Sequence, residues 1–227
     1  MDFDVVPLSG QEERRAWLAN ELVVAGWAGR DAEAIEHHIR ELEAIGVKRP
    51  RATPLFYRVS ASLLTTSSRV QAAGGDSSGE AEAVLVHLED GLYVGIGSDH
   101  TDRKVEAYGV TVSKQMCAKP VGPKLWRYED VAAHWDQLEM VSYATVNGER
   151  RLYQKGTLAG LRDPQDLLSR YRATGGAFGV GAAMFCGTLA IQGEIQYAPT
   201  LELELSDPVL GRTLRHTYHV DVLTIAD

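Results

Sequence analysis

The stretch GEAEAVLVHLEDGLYVGIGSD, residues 79–99, carries the clearest structural signal in this sequence. Two apolar runs, AVLVHL and LYVGIG, are separated by Glu89, Asp90 and Gly91, and residues of this kind are typical of turns. The pattern predicts two β-strands with a turn between them. Side chains along a strand alternate between its two faces, so residues two positions apart share a face.

Short runs of the same β-like texture continue after Pro50, namely LFYRVSAS, EAYGVTVSK, SYATVNG, GAAMFCGTLAI and TLELELS. Clusters of Gly, Pro, Asp and Asn separate most of them. Two short helices are expected among these runs, at Tyr128–Asp136 and at Pro164–Tyr171. Residues 51–227 are therefore predicted to form a β-rich domain.

The N-terminal part of the chain has a different pattern. Residues 11–46 are predicted to be mostly helical, because DAEAIEHHIRELEAIG places apolar side chains at helical spacing. Asp31 is a suitable N-cap for this helix, and Gly46 is a suitable C-cap. The sequence thus predicts one structural unit of the mixed, β-rich α+β class, with a helical segment within residues 1–50.

Composition and charge argue against several classes of function. The chain has 227 residues, of which 44% are hydrophobic and 24% are charged, as in ordinary globular proteins. Its net charge of −8, without a basic patch, argues against a nucleic-acid partner. No apolar run is long enough to span a membrane, and the N-terminus MDFDVVPLSG does not resemble a secretory signal. Cys117 and Cys186 match no disulfide or metal spacing, so a cytoplasmic location is expected.

Two carboxylates, Glu80 and Glu82, lie at the start of the first predicted strand. They would share one face of that strand and repel each other unless a cation or solvent intervenes. Carboxylate oxygens are hard ligands that suit Mg²⁺, Mn²⁺ or Ca²⁺ rather than Zn²⁺. A solvated strand end is the alternative. The polar segment Gly97–Arg103 after the second strand is, taken alone, a turn.

Two further groups have chemical potential. His38 and Glu41 are three positions apart on the predicted helix, so the carboxylate can orient the imidazole and raise its basicity. An exposed His/Glu pair on an amphipathic helix is the simpler interpretation. Lys114 ends a predicted strand before the rigid turn Pro120–Pro123, where it can meet an anionic substrate or simply face water.

In their order along the chain, these motifs resemble those of the fumarylacetoacetate hydrolase (FAH) superfamily. His38 and Glu41 resemble an early His-x-x-Glu pair that this family carries on a mobile helical segment. The segment Pro54–Arg58 resembles its Pro-x-x-Phe-x-Lys strand, with arginine in place of lysine. Glu80 and Glu82 resemble its Glu-x-Glu motif before an apolar strand.

The resemblance continues towards the C-terminus. Ser98–Arg103 resembles an Asn-Asp-x-x-x-Arg segment, and Lys114 before Pro120–Pro123 resembles a Lys-x-Phe-Asp stretch before Pro-x-Gly-Pro. Val146–Glu149 resembles a Val-Asn-Gly-Glu hairpin, and Cys186–Thr188 resembles a Thr-Gly-Thr strand. The serine and the cysteine that replace asparagine and threonine indicate a divergent branch.

The resemblance implies a fold and an activity. The fold would be a β-roll or β-sandwich in which residues 1–50 contribute a lid to a catalytic domain at residues 51–227, within a homodimer. The activity would be Mg²⁺- or Mn²⁺-dependent hydrolysis of a C–C bond in an acylpyruvate-like or diketo acid, through a metal-stabilised enolate. Decarboxylation, hydration or isomerisation of a 2-oxo acid is one alternative, and a non-catalytic metal- and ligand-binding protein is another.

The resemblance also implies roles for individual residues. The metal ligands would be Glu80, Glu82 and Asp99. His38, oriented by Glu41, would activate water or move a proton, and Lys114 would offset negative charge on the substrate. The substrate-binding positions would be Arg58, Arg103, Gly187 and Thr188.

Overall fold

The computed structural model of the protein describes residues 1–44 and 49–226, and leaves out the side chains of residues 34, 38, 41, 42 and 44. In chain order its strands are β1 (Asp2–Val5), β2 (Glu13–Ala16), β3 (Glu21–Gly26), β4 (Leu55–Val59), β5 (Leu64–Thr65), β6 (Arg69–Ala73), β7 (Ser77–Ser78), β8 (Ala81–Leu88), β9 (Gly91–Ser98), β10 (Thr101–Asp102), β11 (Lys119–Pro120), β12 (Lys124–Arg127), β13 (Glu139–Val146), β14 (Glu149–Thr157), β15 (Ala182–Thr188), β16 (Thr200–Asp207) and β17 (Arg212–Leu223).

Helices are fewer and short. The α-helices are α1 (Ala32–Ala44), α2 (Arg103–Glu106), α3 (Val110–Met116), α4 (Tyr128–Val131) and α5 (Pro164–Ala173). Single turns of 3-10 helix occupy Ala61–Leu63 and Leu158–Gly160, and a longer one, Ala132–Gln137, continues from α4. Within the described part of the chain, no helix combines the length and the apolar character needed to cross a bilayer.

Most of these strands belong to two sheets. Among the described residues, one sheet has eight strands in the order β2-β1-β12-β9-β8-β15-β3-β4, and the other has five in the order β14-β13-β16-β17-β6. Side chains of β8, β9 and β15 share one hydrophobic cluster with those of β13, β16 and β17, so the two sheets enclose a common core. The β-rich α+β fold predicted from the sequence is confirmed.

The eight-stranded sheet is buried on both faces at its centre. On the face away from the common core, Val84, Val86 and Phe185 form a second buried cluster with Tyr57 and Val121. A strand that is covered on both faces has a continuous apolar sequence, as in AEAVLVHL of β8. Polar groups at the end of this strand therefore lie beside a water-poor interior, where charges interact strongly.

The predicted helix across residues 11–46 is wrong for residues 13–16 and 21–26, which form β2 and β3. Glu, Arg, Ala and Leu favour helices, but β3 pairs with β15 on one side and with the edge strand β4 on the other, and this tertiary pairing outweighs propensity. The helical prediction is confirmed for α1, where the Glu33 amide donates to Asp31 Oδ1 (2.9 Å) as expected for an N-cap. Gly46 lies outside the described residues. The division into a lid segment and a catalytic domain stays a prediction.

The run EAYGVTVSK was predicted to be a strand but forms the end of α2 and most of α3. The β-branched residues Val110, Thr111 and Val112 favour strands. In the structure, Asp102 caps α2 by accepting a hydrogen bond from the Val105 amide (2.8 Å), and α3 packs against β4 and β10. As a result Lys114 projects from a helix, rather than ending a strand as the sequence pattern suggested.

The β13–β14 hairpin confirms the resemblance at Val146–Glu149. Asn147 (φ 52°) and Gly148 (φ 81°) both adopt left-handed backbone conformations, as a two-residue type I′ turn requires. The two short helices predicted in the β-rich part are also present, as α4 with its 3-10 continuation and as α5. In α5, Asp163 accepts a hydrogen bond from the Gln165 amide (2.7 Å) and Pro164 occupies the first turn.

Gly97 of β9 lies close to the backbone at Pro120 and to the side chain of Val84 in β8, and its substitution tests this packing. A Cβ atom at Gly97 would lie 2.7 Å from the Pro120 carbonyl oxygen and 2.9 Å from Val84 Cγ2. We expect Gly97→Ala to lower the free energy of unfolding by about 1–3 kcal/mol, because the backbone at Pro120 cannot move freely. Urea denaturation measures the change.

Gly160→Ala is the matched control for Gly97→Ala. A Cβ atom at Gly160 would meet nothing within 4 Å, so this variant should be as stable as the wild type or more stable. Equal stability of Gly97→Ala and the wild type would contradict the close approach at Pro120.

Candidate metal centre

The ends of β8 and β9 bring three carboxylates together. Glu80 and Glu82 share a face of the β8 segment, and the Asp99 amide donates to the Glu80 carbonyl oxygen (3.0 Å). The register that pairs Ala81 with Ser98 continues to this contact, so Asp99 lies opposite Glu80. One carboxylate oxygen from each residue lies within 4.8 Å of the other two.

Glu82 is the most constrained of the three. Its side chain is buried, and Oε2 accepts a short hydrogen bond from the Gly187 amide (2.6 Å). Burial, followed by the neighbouring charges of Asp99 and Glu80, raises the pKa of Glu82 well above its usual range. The protein therefore holds this carboxyl group where its charge is costly unless a cation is near.

Asp99 is fully buried between two lysines. Lys114 Nζ donates to Asp99 Oδ2, and Lys119 Nζ lies 3.4 Å from Oδ1. Burial alone would raise the pKa of Asp99, but the two ammonium groups hold it below its usual range. Oδ1 is nevertheless a buried oxygen without a hydrogen-bond partner, which is an unusual state for a polar atom.

The donor set fits a divalent cation. Three carboxylates supply only hard oxygen ligands, which suit Mg²⁺, Mn²⁺ or Ca²⁺. Asp99 Oδ1 accepts no hydrogen bond, and its only contact with a charged group among the described residues is the 3.4 Å ion pair with Lys119. Glu80, whose side chain is 22% exposed, leaves one side of the cluster open for water or substrate.

Two cations face the open side of the cluster. Lys114 Nζ lies 3.9 Å from Glu80 Oε2 and 5.7 Å from the centre of the Tyr57 ring. Burial disfavours its charge, but Asp99 and Glu80 raise the pKa of Lys114 above the usual lysine value, so it stays an ammonium ion. Arg103 Nη2 lies 3.2 Å from Glu80 Oε1, and Nη1 donates to Glu106 (2.9 Å).

The four proposed substrate-binding residues make different contacts in the structure. Arg103 lies beside Glu80, whereas Gly187 and Thr188 are used within the protein: the Gly187 amide binds Glu82, and Thr188 Oγ1 donates to the Ala81 carbonyl oxygen (2.9 Å). Arg58 is 59% exposed and pairs with Glu21 (3.1 Å). It follows Tyr57, which faces Lys114, so Arg58 points to the other face of β4.

The proposed catalytic pair lies on α1. This helix carries both His38 and Glu41, but their side chains lie outside the described part of the chain. The role of this pair stays a prediction.

Sequence reasoning missed Gln154, which is fully buried on β14 and crosses to the other sheet. Its Oε1 accepts from the Ala81 amide (2.9 Å) and from Ser142 Oγ (2.9 Å). Its Nε2 donates to Thr188 Oγ1 (2.7 Å) and to the Leu189 carbonyl oxygen (2.7 Å). Because Ala81 lies between the two glutamates, Gln154 fixes the backbone that presents them. A polar residue in the strand ERRLYQKGT gives no signal of this role.

A hydrogen-bonded chain also passes through His100. Tyr218 OH donates to Ser98 Oγ (2.8 Å) and so accepts from His100 Nδ1 (3.0 Å), while Ser77 Oγ donates to His100 Nε2 (2.9 Å). Burial, and then the nearby Lys119 and Arg103, lower the pKa of His100 to about 3, so this histidine is neutral. Ser98 Oγ in turn accepts from the Glu80 amide (3.1 Å), which links the chain to the cluster.

Comparisons with known proteins identify a family of undetermined activity. A family model described as "Protein of unknown function (DUF2848)" matches residues 25–218. A sequence search of curated proteins gives no match.

Solved structures similar to this chain establish its fold. A proposed fumarylacetoacetate isomerase/hydrolase from Oleispira antarctica has a TM-score of 0.68 at 17% identity, over 97% of this chain and 100% of its own. A proposed fumarylpyruvate hydrolase from Burkholderia cenocepacia has a TM-score of 0.61 at 18% identity, over 98% and 95%. A 2-keto-3-deoxy-D-arabinonate dehydratase complexed with magnesium and 2,5-dioxopentanoate has a TM-score of 0.62 at 13% identity, over 91% and 74%. The FAH-type fold inferred from the motifs is confirmed.

Glu82→Gln tests the metal centre. Glutamine retains the shape of the side chain and an acceptor for the Gly187 amide, but it removes one of three neighbouring negative charges. We expect the affinity for Mg²⁺ or Mn²⁺ to fall by at least about tenfold. The metal-free variant should unfold at the same temperature as the wild type or higher, because a buried charge with like-charged neighbours is costly. Titration calorimetry and thermal unfolding measure the two effects.

Glu139→Gln, at an exposed position of β13, is the control for Glu82→Gln and should change neither quantity. Metal binding by Glu82→Gln that is as tight as in the wild type would refute the ligand assignment.

Proposed function

This chain belongs to the family described as protein of unknown function (DUF2848), and we propose that it is a divalent-metal-dependent hydrolase that cleaves a C–C bond in an acylpyruvate-like or diketo acid. The observation that carries the proposal is the buried cluster of Glu80, Glu82 and Asp99, with an unpartnered oxygen on Asp99 and a buried ammonium ion beside it. Its occurrence on a fold shared with hydrolases and a dehydratase supports an enzymatic role.

The proposed metal is Mg²⁺ or Mn²⁺, held by the three carboxylates. When bound, it would act as a Lewis acid on the carbonyl oxygens of a chelated 2-oxo or 1,3-dicarbonyl group. Exposure increases from Asp99 (0%) to Glu80 (22%), so a substrate would approach over Glu80.

Lys114 is the proposed electrostatic partner of the reacting group. An ammonium ion has three N–H donors, so the bond to Asp99 Oδ2 leaves Lys114 able to bind a carboxylate or a developing oxyanion. Its contact with the Tyr57 ring supports the charged state in a buried setting. Lys114 thus joins the ligand Asp99 to the substrate.

Arg103 is the proposed site for a substrate carboxylate. Its guanidinium group contacts Glu80, Glu106 and Ser78 and is therefore held in one orientation. A fixed, planar fork of donors suits a carboxylate. Gly187 and Thr188 would act indirectly, by holding Glu82 and the start of β8. A substrate contact of Arg58 stays a prediction from the sequence, and without a substrate this arginine pairs with Glu21.

His38 is the proposed base that activates water, and Glu41 is its orienting partner. Water activation is what separates C–C hydrolysis from other reactions of the same substrates. The homodimer, the cytoplasmic location and the absence of a nucleic-acid partner likewise stay predictions from the sequence.

The second candidate is decarboxylation, hydration or isomerisation of a 2-oxo acid at the same carboxylates. It is favoured by the similarity of the fold to a dehydratase that was crystallised with magnesium and 2,5-dioxopentanoate. In these reactions Lys114 and Arg103 would keep their roles, and His38 would move a proton or play no part.

An ultraviolet assay of acylpyruvates and oxaloacetate, with and without Mg²⁺ or Mn²⁺, tests the proposed function. We expect metal-dependent loss of the enol absorbance in the wild type and none with Glu82→Ala, because the metal would be lost. The products then separate hydrolysis from decarboxylation. Metal binding without turnover of any of these substrates would instead favour a non-catalytic binding protein.

Replacement of His38 distinguishes hydrolysis from the alternatives. If His38 activates water, His38→Ala should slow acylpyruvate hydrolysis by about 10²–10⁴-fold but leave metal affinity unchanged. Glu33→Ala, at an exposed position in the first turn of α1, is the control and should hydrolyse the substrate like the wild type. Normal hydrolysis by His38→Ala would show that the base is another group.

A further inference from the structure

Lys119 is a fully buried lysine beside Asp99, at the start of β11. Its Nζ donates to the backbone carbonyl oxygens of Lys114 (2.5 Å), His100 (2.6 Å) and Cys117 (3.0 Å). It also lies 3.4 Å from Asp99 Oδ1, although no hydrogen bond joins the two atoms. A protonated lysine has three N–H donors, so the three carbonyl groups account for all of them.

The three carbonyl groups belong to the segments that carry the site. His100 directly follows Asp99, Lys114 lies in the last turn of α3, and Cys117 is the C-cap of that helix. The last carbonyl groups of a helix lack partners within it, and a cation there is favourable. One buried ammonium group therefore joins the loop that presents Asp99 to the helix that presents Lys114.

The contacts of Lys119 are those of a cation rather than of a neutral amine. An amine has two hydrogens, so it would leave one of the three carbonyl oxygens against its lone pair at 3.0 Å or less. Burial lowers the pKa of Lys119, and the nearby carboxylate of Asp99 opposes that effect. A ring of carbonyl oxygens is also how proteins hold free monovalent cations such as K⁺.

We propose that Lys119 is a positioning residue whose ammonium group acts as a tethered monovalent cation. It holds the loop after β9 and the end of α3 at a fixed separation, so that Asp99 Oδ1 stays free of hydrogen bonds and Lys114 reaches Oδ2. The part of this proposal that concerns metal affinity rests on the proposed function, whereas the carbonyl clamp is a property of the chain itself.

This role predicts that a free cation can replace the side chain. Lys119→Ala removes the atoms beyond Cβ and leaves space for an n-alkylammonium ion between the three carbonyl groups. Lys119→Met fills the same space without a charge or a donor. A side chain that merely filled the core would be replaced well by methionine and not at all by an added cation.

The experiment measures Mn²⁺ affinity by electron paramagnetic resonance and the thermal unfolding midpoint of each variant. For Lys119→Ala, we expect Mn²⁺ affinity to fall by at least about tenfold, as for loss of a group that orients a ligand, and the midpoint to fall. Ethylammonium or n-propylammonium chloride should restore both. Tetramethylammonium chloride, which has no N–H donor, should restore neither, and Lys119→Met should respond to none of these salts.

Lys124→Ala is the matched control, because Lys124 is an exposed lysine nearby that pairs with Glu12 (2.5 Å). It should match the wild type in both measurements. If Lys119→Ala fails to fold when expressed, refolding with and without n-propylammonium gives the same test. The proposal is overturned if Lys119→Ala matches the wild type without added cation, if no alkylammonium ion restores the variant, or if Lys119→Met retains both properties.

The two proposals fail in different ways. Absence of Mn²⁺ binding by the wild type would refute the proposed function, while the dependence of the Lys119→Ala midpoint on alkylammonium ions would still decide the role of Lys119. Normal Mn²⁺ binding by the wild type, without alkylammonium rescue of the variant, would refute the tethered cation and leave the metal site intact.

Discussion

Three carboxylates held within 4.8 Å of one another beside a hydrophobic core are the constraint on which the rest of this structure depends. Two like charges about 4 Å apart repel by about 4 kcal/mol at an effective dielectric constant of about 20. The chain offsets this repulsion with an equal number of fixed cations, namely Lys114, Lys119 and Arg103. Each of these cations is in turn held by other groups, so the charge balance is built into the fold.

The second sheet contributes to this balance as well as to the core. Gln154 on β14 uses all four of its hydrogen-bonding positions, and two of them fix β8 and β15 beside the carboxylates. Tyr218 on β17 joins His100 to Ser98 in the hydrogen-bonded chain that reaches the Glu80 amide. These two polar links between the sheets therefore end beside the carboxylate cluster. Fully satisfied buried networks of this kind favour a single arrangement over alternatives, and here that arrangement is the geometry of the site.

The sequence predicted those parts of the structure that depend on local pattern. The strands that carry Glu80, Glu82 and Asp99 follow from alternation and turn residues, and the Asn147–Gly148 turn follows from backbone preference. The strands at residues 13–26 and the helix α3 did not follow, because in both the tertiary partners outweigh local propensity. Lys119 gave no signal, since its three partners are backbone carbonyl groups, which any sequence would supply. Side-chain patterns in a sequence can indicate candidate ligands, whereas contacts between a side chain and backbone carbonyl groups can be identified only from the folded structure.

The two buried lysines show how one side-chain type serves two purposes in the same site. Lys119 uses all three of its N–H donors in hydrogen bonds to backbone carbonyl groups, so none remains for a substrate. Lys114 makes one hydrogen bond to Asp99 and lies near Glu80, the partly exposed member of the cluster, so its remaining donors face the region a substrate would enter. The pKa of Lys114 is raised by Asp99 and Glu80 against the effect of burial, whereas burial lowers the pKa of Lys119. The carboxylates of Asp99 and Glu80 therefore keep Lys114 charged, whereas backbone carbonyl groups hold Lys119 in place. Under the proposed function, the contacts of Lys114 can therefore change when a substrate binds, while Lys119 continues to hold the loop that follows β9.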